Sequence, residues 1–348
     1  MNKLFWLLVG CLMVLMGCTS VTVENPAPPF EPVEEEDVLL GNSAESQGFD
    51  PDMLAQIPAY VEDRFPHLYS VLVLRNGELV HEYYADGQSA DTPAVVWSVT
   101  KSFVSALVGI AIEEGLIMSV DQTLDELIPL YLPVDGDPRL NEVTLRQLLT
   151  MSSGMFCNRD GCHDNSISQT TSADLQAEPG EQFAYDTGAS HLISAILTEA
   201  TSMTTYEYAE MKLFEPLAFE RHSWETDSEG LYFGGKGLSV RPRDMAKFGQ
   251  LFLDGGVWDG EQLVPESYIQ ESTVDQLGGI SAETEYGYLW WPSEVEGHDA
   301  YAAVGFGGQY ITVVPDLELV VVITSNFSRP RNDNNAIIYD LIVPAIID

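Results

Sequence analysis

The sequence predicts a mixed α/β fold in which an antiparallel sheet is flanked by helices. Strand-forming runs lie near both ends of the chain and helical patterns lie between them, so one sheet would be assembled from both termini. The chain has 348 residues, of which 45% are hydrophobic, and this is enough to bury a large core. No internal repeat is evident. We therefore expect one folded domain over residues 47–348.

The predicted elements can be justified in chain order. A short helix near residues 52–65 precedes a hairpin, whose strands at 68–74 and 78–84 flank an Asn-Gly turn. A buried amphipathic helix spans 98–114, because apolar residues recur along one face and a glycine follows. The other predicted elements are helices at 144–151, 189–201, 205–214 and 242–253, strands at 286–290, 309–314 and 319–324, a closing helix at 335–347, and an inserted all-α region over about 118–230.

The N-terminal residues are typical of an export signal. Residues 1–17 combine an early lysine with an apolar run too short to span a bilayer comfortably. Residues 15–18 resemble a bacterial lipobox, in which Cys18 becomes lipid-modified, and an ordinary signal peptide or an uncleaved anchor is the alternative. Residues 18–46 are rich in Pro and Glu and are expected to form a disordered tether. The expected location is outside the cytoplasm of a bacterium, anchored to its membrane by lipid.

The charge balance disfavours nucleic acid as a partner. The chain carries 54 Asp and Glu against 15 Lys and Arg, a formal net charge of −39. Such a surface repels phosphate backbones, and no basic stripe offsets this locally. The simplest interpretation of the charge is solubility.

Two of the four cysteines are predicted to form a disulfide. Cys157 and Cys162 lie in a short polar loop that contains glycine, and an oxidising compartment favours their pairing. A metal site that adds His163 is the alternative, although a second ligand pair is missing. The preferred prediction is that the protein holds no metal ion.

The pair Ser98 and Lys101 is a candidate for nucleophilic catalysis. Residues three apart share one face of a helix, so the serine oxygen and the lysine nitrogen can come within hydrogen-bond reach. A neighbouring amine can accept the proton of a serine hydroxyl if burial keeps that amine near neutrality. The pair alone is a weak signal, but the chain has only five lysines.

Three further segments make the pattern specific. Residues 143–154, the Pro-Gly-x-x-Phe-x-Tyr run within 179–188, and Gly-Phe-Gly-Gly-Gln at 305–309 follow the serine in order. From about residue 49 to the C-terminus, the chain resembles the β-lactamase superfamily in its class C branch. This branch includes carboxylesterases, D-alanyl-D-alanine peptidases and 6-aminohexanoate-dimer hydrolases. The resemblance implies a β-lactamase-like fold and an acyl-enzyme mechanism without a cofactor.

The resemblance also implies roles for individual residues. Ser98 would be the acylated nucleophile and Lys101 its proton partner. Tyr185 would share the proton network, first accepting a proton from Ser98 and later passing one to the leaving group.

The remaining motif positions depart from the family pattern. Phe306, Gly307 and Gly308 stand where a cation, a hydroxyl residue and a glycine are usual. The backbone N–H of Gln309 is expected to pair with that of the nucleophile as the oxyanion hole. Thr187 stands where asparagine is common in the middle motif.

The predicted reaction is cleavage of a small ester or amide through a covalent acyl-enzyme. Loss of the third-motif cation favours neutral substrates, with a short-chain ester as the preferred one. One alternative is a β-lactamase or a D-alanyl-D-alanine carboxypeptidase. The other is a non-catalytic binding lipoprotein that kept the fold.

Overall fold

The computed structural model describes residues 43–156, 166–281, 284–328 and 333–347. The predicted signal peptide, the lipidation at Cys18, most of the tether and the Cys157–Cys162 disulfide lie outside these residues. No helix in the described ranges is long and apolar enough to cross a membrane.

One six-stranded antiparallel sheet forms the centre of the domain. The strands, in chain order, are β1 (Leu68–Arg75), β2 (Glu78–Tyr84), β3 (Ala94–Val95), β4 (Ser223–Trp224), β5 (Leu238–Val240), β6 (Val257–Trp258), β7 (Glu261–Gln262), β8 (Trp291–Val295), β9 (His298–Gly305), β10 (Gln309–Val314) and β11 (Leu319–Ser325). The sheet order is β2-β1-β11-β10-β9-β8, and each neighbouring pair is antiparallel. Strands from both ends of the chain therefore share one sheet, as the sequence predicts. Strands β3, β5 and β4 form a small second sheet, and β6 and β7 form a hairpin.

Helices cover both faces of the sheet. The α-helices are α1 (Pro51–Leu54), α2 (Ile57–Arg64), α3 (Thr100–Glu113), α4 (Leu124–Leu127), α5 (Leu145–Leu149), α6 (Ile167–Ser172), α7 (Thr187–Thr201), α8 (Thr205–Ala209), α9 (Pro242–Leu253) and α10 (Glu266–Ser272). Two π-helical turns, at Glu210–Phe214 and Ile338–Ile342, continue the chain after α8 and near the C-terminus. This mixed arrangement confirms the predicted α/β fold. Helices α4 to α8 all fall between residues 118 and 230, but strand β4 lies there too and pairs with β5, so the predicted insertion is rich in helix and not all-α.

Helix α3 is almost entirely buried, because it lies between α7, α9 and α10. The Phe103 ring stacks on the Phe248 ring of α9 with centroids 3.9 Å apart. Helix α9 in turn lies directly on the sheet. A Cβ added to Gly249 would stand 2.6 Å from Cγ1 of Val320 on β11, so glycine is needed for this close approach. The position of the N-terminus of α3 is therefore fixed relative to the sheet.

The opposite face of the sheet has its own core. Phe49 and Leu54, near the start of the described chain, pack here with Ile342 from the C-terminal π-helical turn. An isolated bridge between Phe49 and Ile346 closes this layer. The first and last described segments, near Phe49 and Ile346, therefore lie on the face away from α3.

Two predictions for the C-terminal third differ from the structure. Residues 286–290 do not form a strand, because the Leu289 amide bonds to the Leu149 carbonyl and the Tyr288 amide bonds to the Ser272 carbonyl. Their alternating aromatic pattern instead reflects burial of Trp290 in the core, against Phe252. The predicted closing helix is irregular, a π-helical turn followed by a 3₁₀ turn at Val343–Ala345.

Candidate active site

Ser98 lies in a tight turn that leads into α3. The turn spans Trp97–Val99 and is a 3₁₀ helix, and Ser98 is half-buried within it. Trp97 adopts a left-handed backbone with φ of 51°. Such a conformation is unfavourable for a bulky residue and persists only where its surroundings hold it. The serine side chain is thus presented on a sharp turn at the start of a buried helix.

Lys101 follows one helical turn later and is completely enclosed. Its Nζ lies 3.1 Å from Ser98 Oγ, 3.3 Å from Thr187 Oγ1 and 2.8 Å from the Gly235 carbonyl oxygen. A neutral amine has two N–H donors and one lone pair. The Thr187 hydroxyl and the Gly235 carbonyl can accept both donors, which leaves the lone pair for the hydroxyl proton of Ser98.

The surroundings of Lys101 favour its neutral form. Burial lowers the pKa of its ammonium to about 7; the nearby charge of Asp186 raises this pKa and that of Lys236 lowers it. Asp186 is buried at the N-terminus of α7, where its carboxylate accepts the Ala189 amide at 2.9 Å. Near neutral pH, a substantial fraction of Lys101 is therefore unprotonated and able to accept a proton.

Tyr185 completes the polar group around Ser98. Its hydroxyl is hydrogen-bonded to the Ser98 side chain, and burial raises its pKa to about 12. Its ring stacks on Trp291 with centroids 5.7 Å apart and lies 4.8 Å from Lys101 Nζ. Because the phenol stays protonated at neutral pH, Lys101 is better suited than Tyr185 to accept the first proton, a step that the sequence interpretation shared between the two residues.

The turn between β9 and β10 lies against the backbone that precedes Ser98. A Cβ on Gly305 would stand 2.3 Å from the Val96 carbonyl oxygen, so this approach requires glycine. The Gly308 carbonyl accepts a hydrogen bond from Asn334 Nδ2 at 3.3 Å. No cis peptide bond occurs in the described residues, so the N–H of Gln309 points away from Asn334.

A buried polar clamp holds this turn from behind. The Gln309 side chain donates to the Ser325 carbonyl at 2.9 Å and accepts the Ser325 amide at 3.0 Å. Asn334 also donates to the Gly307 carbonyl at 3.2 Å, and its Oδ1 lies 2.7 Å from His67 Nε2. The clamp fixes the peptide planes of the turn.

The structure thus brings four of the predicted site residues into direct contact: Ser98, Lys101, Tyr185 and Thr187. Gly307, Gly308 and Gln309 lie on the adjacent turn and at the start of β10. Within the described ranges, no group of three or more His, Cys, Asp or Glu side chains is arranged to hold a metal ion.

Sequence reasoning did not identify Gly235 or Asn334. A Cβ on Gly235 would stand 2.4 Å from Ser190 Oγ and 3.0 Å from Lys101 Nζ. The glycine pair at 234–235 is a signal of such a close backbone approach. Asn334 carries no comparable signal, because its partners are far away in the sequence.

Comparison with known proteins agrees with this architecture. The profile of the beta-lactamase family matches residues 62–343. The 6-aminohexanoate-dimer hydrolase of Paenarthrobacter ureafaciens is 27% identical and the match covers 91% of this chain and 84% of that protein.

Solved structures show the same fold. A Bacillus anthracis protein, provisionally assigned as a 6-aminohexanoate-dimer hydrolase, superposes with a TM-score of 0.72 at 22% identity, over 83% of this chain and 80% of that one. A D-stereospecific amidohydrolase from Streptomyces gives a TM-score of 0.65 at 15% identity, over 83% and 97%. The family match covers most of the chain, and the serine, lysine and tyrosine that carry the resemblance meet at one place. The chain therefore belongs to the beta-lactamase family of hydrolases.

Proposed function

We propose that this protein is a serine hydrolase that cleaves an ester or amide bond through a covalent acyl-enzyme on Ser98. The observation that carries the proposal is the contact between Ser98 Oγ and the enclosed Lys101 Nζ, 3.1 Å apart, with the lysine pKa lowered to about 7. An amine placed and tuned in this way is suited to remove the hydroxyl proton.

In the proposed acylation step, Ser98 Oγ attacks the substrate carbonyl and its proton passes to Lys101 Nζ. The carbonyl oxygen gains negative charge, which the backbone N–H groups of Ser98 and Gln309 stabilise. The intermediate then collapses, and the bond to the leaving group breaks. The alcohol or amine departs with a proton supplied through Tyr185, and Lys101 returns a proton to the tyrosine.

Deacylation reverses these roles with water in place of the leaving group. Water loses a proton to the amine of Lys101 and its oxygen attacks the acyl carbon. The ester bond to Ser98 Oγ then breaks, and the serine recovers its proton. The carboxylic acid leaves, and no other reactant is consumed.

The proposed substrates are neutral esters or amides. The third motif lacks the cation that would hold a substrate carboxylate, since Phe306 stands in its place. Similarity to the 6-aminohexanoate-dimer hydrolase and to the Streptomyces amidohydrolase supports amides as substrates in addition to a short-chain ester. Penicillins and D-alanyl-D-alanine peptides are the competing substrates.

The test is detection of the acyl-enzyme by intact mass after mixing with p-nitrophenyl acetate, a small amide, and penicillin. We expect Ser98 to gain the acyl mass from the ester or the amide, and Ser98→Ala to gain none. Ser89→Ala removes an exposed serine and serves as the matched control. A Ser98→Ala variant that is acylated and turns over like the wild type contradicts the proposal. Stable acylation by penicillin alone would support the competing substrate class.

We also propose that the protein is exported and lipid-anchored through Cys18, on the strength of the lipobox-like residues 15–18. Labelling of cells with an alkyne fatty acid should mark the wild type and not Cys18→Ala. Equal labelling of both proteins would exclude this anchor.

A further inference from the structure

Two phenylalanines beside the nucleophile are unusually exposed. Phe306 is 52% exposed and Phe327 is 41% exposed. No other aromatic side chain in the described part of the chain falls in the exposed class. Exposed apolar side chains that form a contiguous patch mark binding sites more often than isolated ones do.

Both phenylalanines contact one tryptophan. The Phe306 ring meets the Trp97 ring edge-to-face, with centroids 5.4 Å apart and planes at 70°. The Phe327 ring meets it in the same way, at 5.1 Å and 65°. Trp97 is the residue directly before Ser98, so covalent geometry places this cluster beside the nucleophile.

The cluster is held in place by the backbone around it. A Cβ on Gly307 would stand 2.6 Å from the Cα of Phe327, so the turn that carries Phe306 packs tightly on the end of β11. The left-handed backbone of Trp97 fixes the third ring. Two exposed rings are therefore held against a partly buried third ring in a fixed arrangement, which lowers the entropic cost of binding.

We propose that Trp97, Phe306 and Phe327 form an aromatic subsite that binds an apolar group of the substrate next to the scissile carbonyl. The subsite selects alkyl or aryl esters and amides over those that carry only a methyl group there. Because its rings are apolar, the subsite also disfavours substrates with a negative charge at this point. This inference rests on the proposed function of Ser98.

The test compares p-nitrophenyl hexanoate with p-nitrophenyl acetate, and hexyl acetate with ethyl acetate. The first pair places the apolar chain on the acyl side and the second places it on the leaving group. For one of the pairs, we expect the wild type to favour the longer chain by about tenfold or more in kcat/KM. Phe306→Ala and Phe327→Ala should each lower that preference several-fold, because the longer substrate loses more apolar contact than the short one.

Ile347→Ala is the matched control, because Ile347 is 50% exposed and lies beside the second core on the other face of the sheet. Unchanged chain-length preference in both phenylalanine variants, with unchanged melting temperatures, overturns the subsite. Loss of the chain-length preference in the phenylalanine variants, with binding to phosphatidylcholine vesicles equal to that of the wild type, supports the subsite. Weaker vesicle binding at unchanged ester preference assigns the rings to a membrane surface and overturns it. Acylation of Ser98 by p-nitrophenyl acetate, measured in the same samples, reports on the proposed function separately from the subsite.

Discussion

The surroundings of Lys101 and the turn at 305–309 flank the same serine but are built in opposite ways. Around Lys101 the nitrogen is enclosed and reaches two hydroxyl oxygens and one carbonyl, with the Tyr185 ring 4.8 Å away. The turn is polar only at its back, where Asn334 and Gln309 hold it, and its front carries the exposed ring of Phe306. Proton transfer needs a fixed pKa and geometry, whereas recognition needs only a surface. Under the proposed function, the first region carries out proton transfer and the second sets substrate selectivity.

The largest effect is expected when the lysine itself is removed. Lys101→Met keeps a long apolar side chain but removes the proton acceptor, so kcat/KM should fall by about 10³- to 10⁴-fold. Steady-state hydrolysis of the best ester measures this. Lys247→Met is the matched control, because Lys247 is also buried and donates to the Ala218 carbonyl at 3.0 Å. Equal losses in the two variants would mean that burial of a lysine, rather than its chemistry, is being measured.

A smaller effect is expected from a substitution at Gly235, whose carbonyl accepts a hydrogen bond from Lys101. The added methyl group in Gly235→Ala would stand 2.4 Å from Ser190 Oγ, 2.8 Å from Thr187 Cγ2 and 3.0 Å from Lys101 Nζ, so these neighbours must give way and the geometry around the amine changes. We expect kcat to fall by about 10²-fold because small displacements of reacting groups are costly.

Gly230→Ala is the control for Gly235→Ala. Gly230 has a φ of +88° and nothing within 4 Å of an added Cβ, so this variant loses stability through backbone strain without touching the site. Its kcat should match the wild type below the melting transition. If Gly235→Ala also keeps full kcat, the Gly235 carbonyl does not position Lys101.

The contacts of the two regions also differ in how well the sequence predicts them. Ser98 and Lys101 are three residues apart, so helix geometry alone predicts their contact. The Asn-Gly hairpin and the Pro-started helix α9 are local signals in the same sense, and the structure confirms both. The clamp behind Gly308 joins Asn334 to His67, and nothing local in either segment indicates that they meet.

Local pattern was misleading where tertiary contacts decided the structure. The aromatic alternation at 286–290 is typical of a strand, yet Leu289 has a φ of 62° and its neighbours are buried in the core. Strand β9, rich in alanine, was not predicted, because its strand propensity is low and pairing with β8 and β10 decides its conformation.

Removal of the clamp tests whether the turn takes part in catalysis. Asn334→Ala deletes one donor to the Gly307 carbonyl and the side-chain donor to the Gly308 carbonyl, which loosens the peptide planes of the turn while the Ser325 contacts remain. We expect kcat to fall by about tenfold with little change in KM, because an oxyanion donor acts mainly in the transition state. Stopped-flow measurement of the acylation rate reports this directly.

Asn335→Ala is the matched control for the clamp. The Asn335 side chain forms no hydrogen bond with another described residue, and it is only partly buried. A loss of kcat shared by both variants would point to a general effect on the C-terminal segment. An unchanged acylation rate in Asn334→Ala would exclude the clamp from catalysis.

The smallest expected effect concerns the positive charge of Lys236, which acts on the pKa of Lys101. Catalysis requires the neutral amine, so kcat/KM should rise with pH through about 7, the lowered pKa of Lys101, and then reach a plateau. The cationic charge of Lys236 lowers that pKa, and Lys236→Met should therefore raise it and move the rising limb to higher pH. At pH 6 this corresponds to about a twofold loss of kcat/KM, with no loss on the plateau.

Lys212→Met is the control, because it removes a lysine that is paired with Glu114, and it should leave the pH profile of kcat/KM unchanged. A limb that moves to lower pH in Lys236→Met, or that does not exist in the wild type, would show that the ionisation of Lys101 does not control the rate.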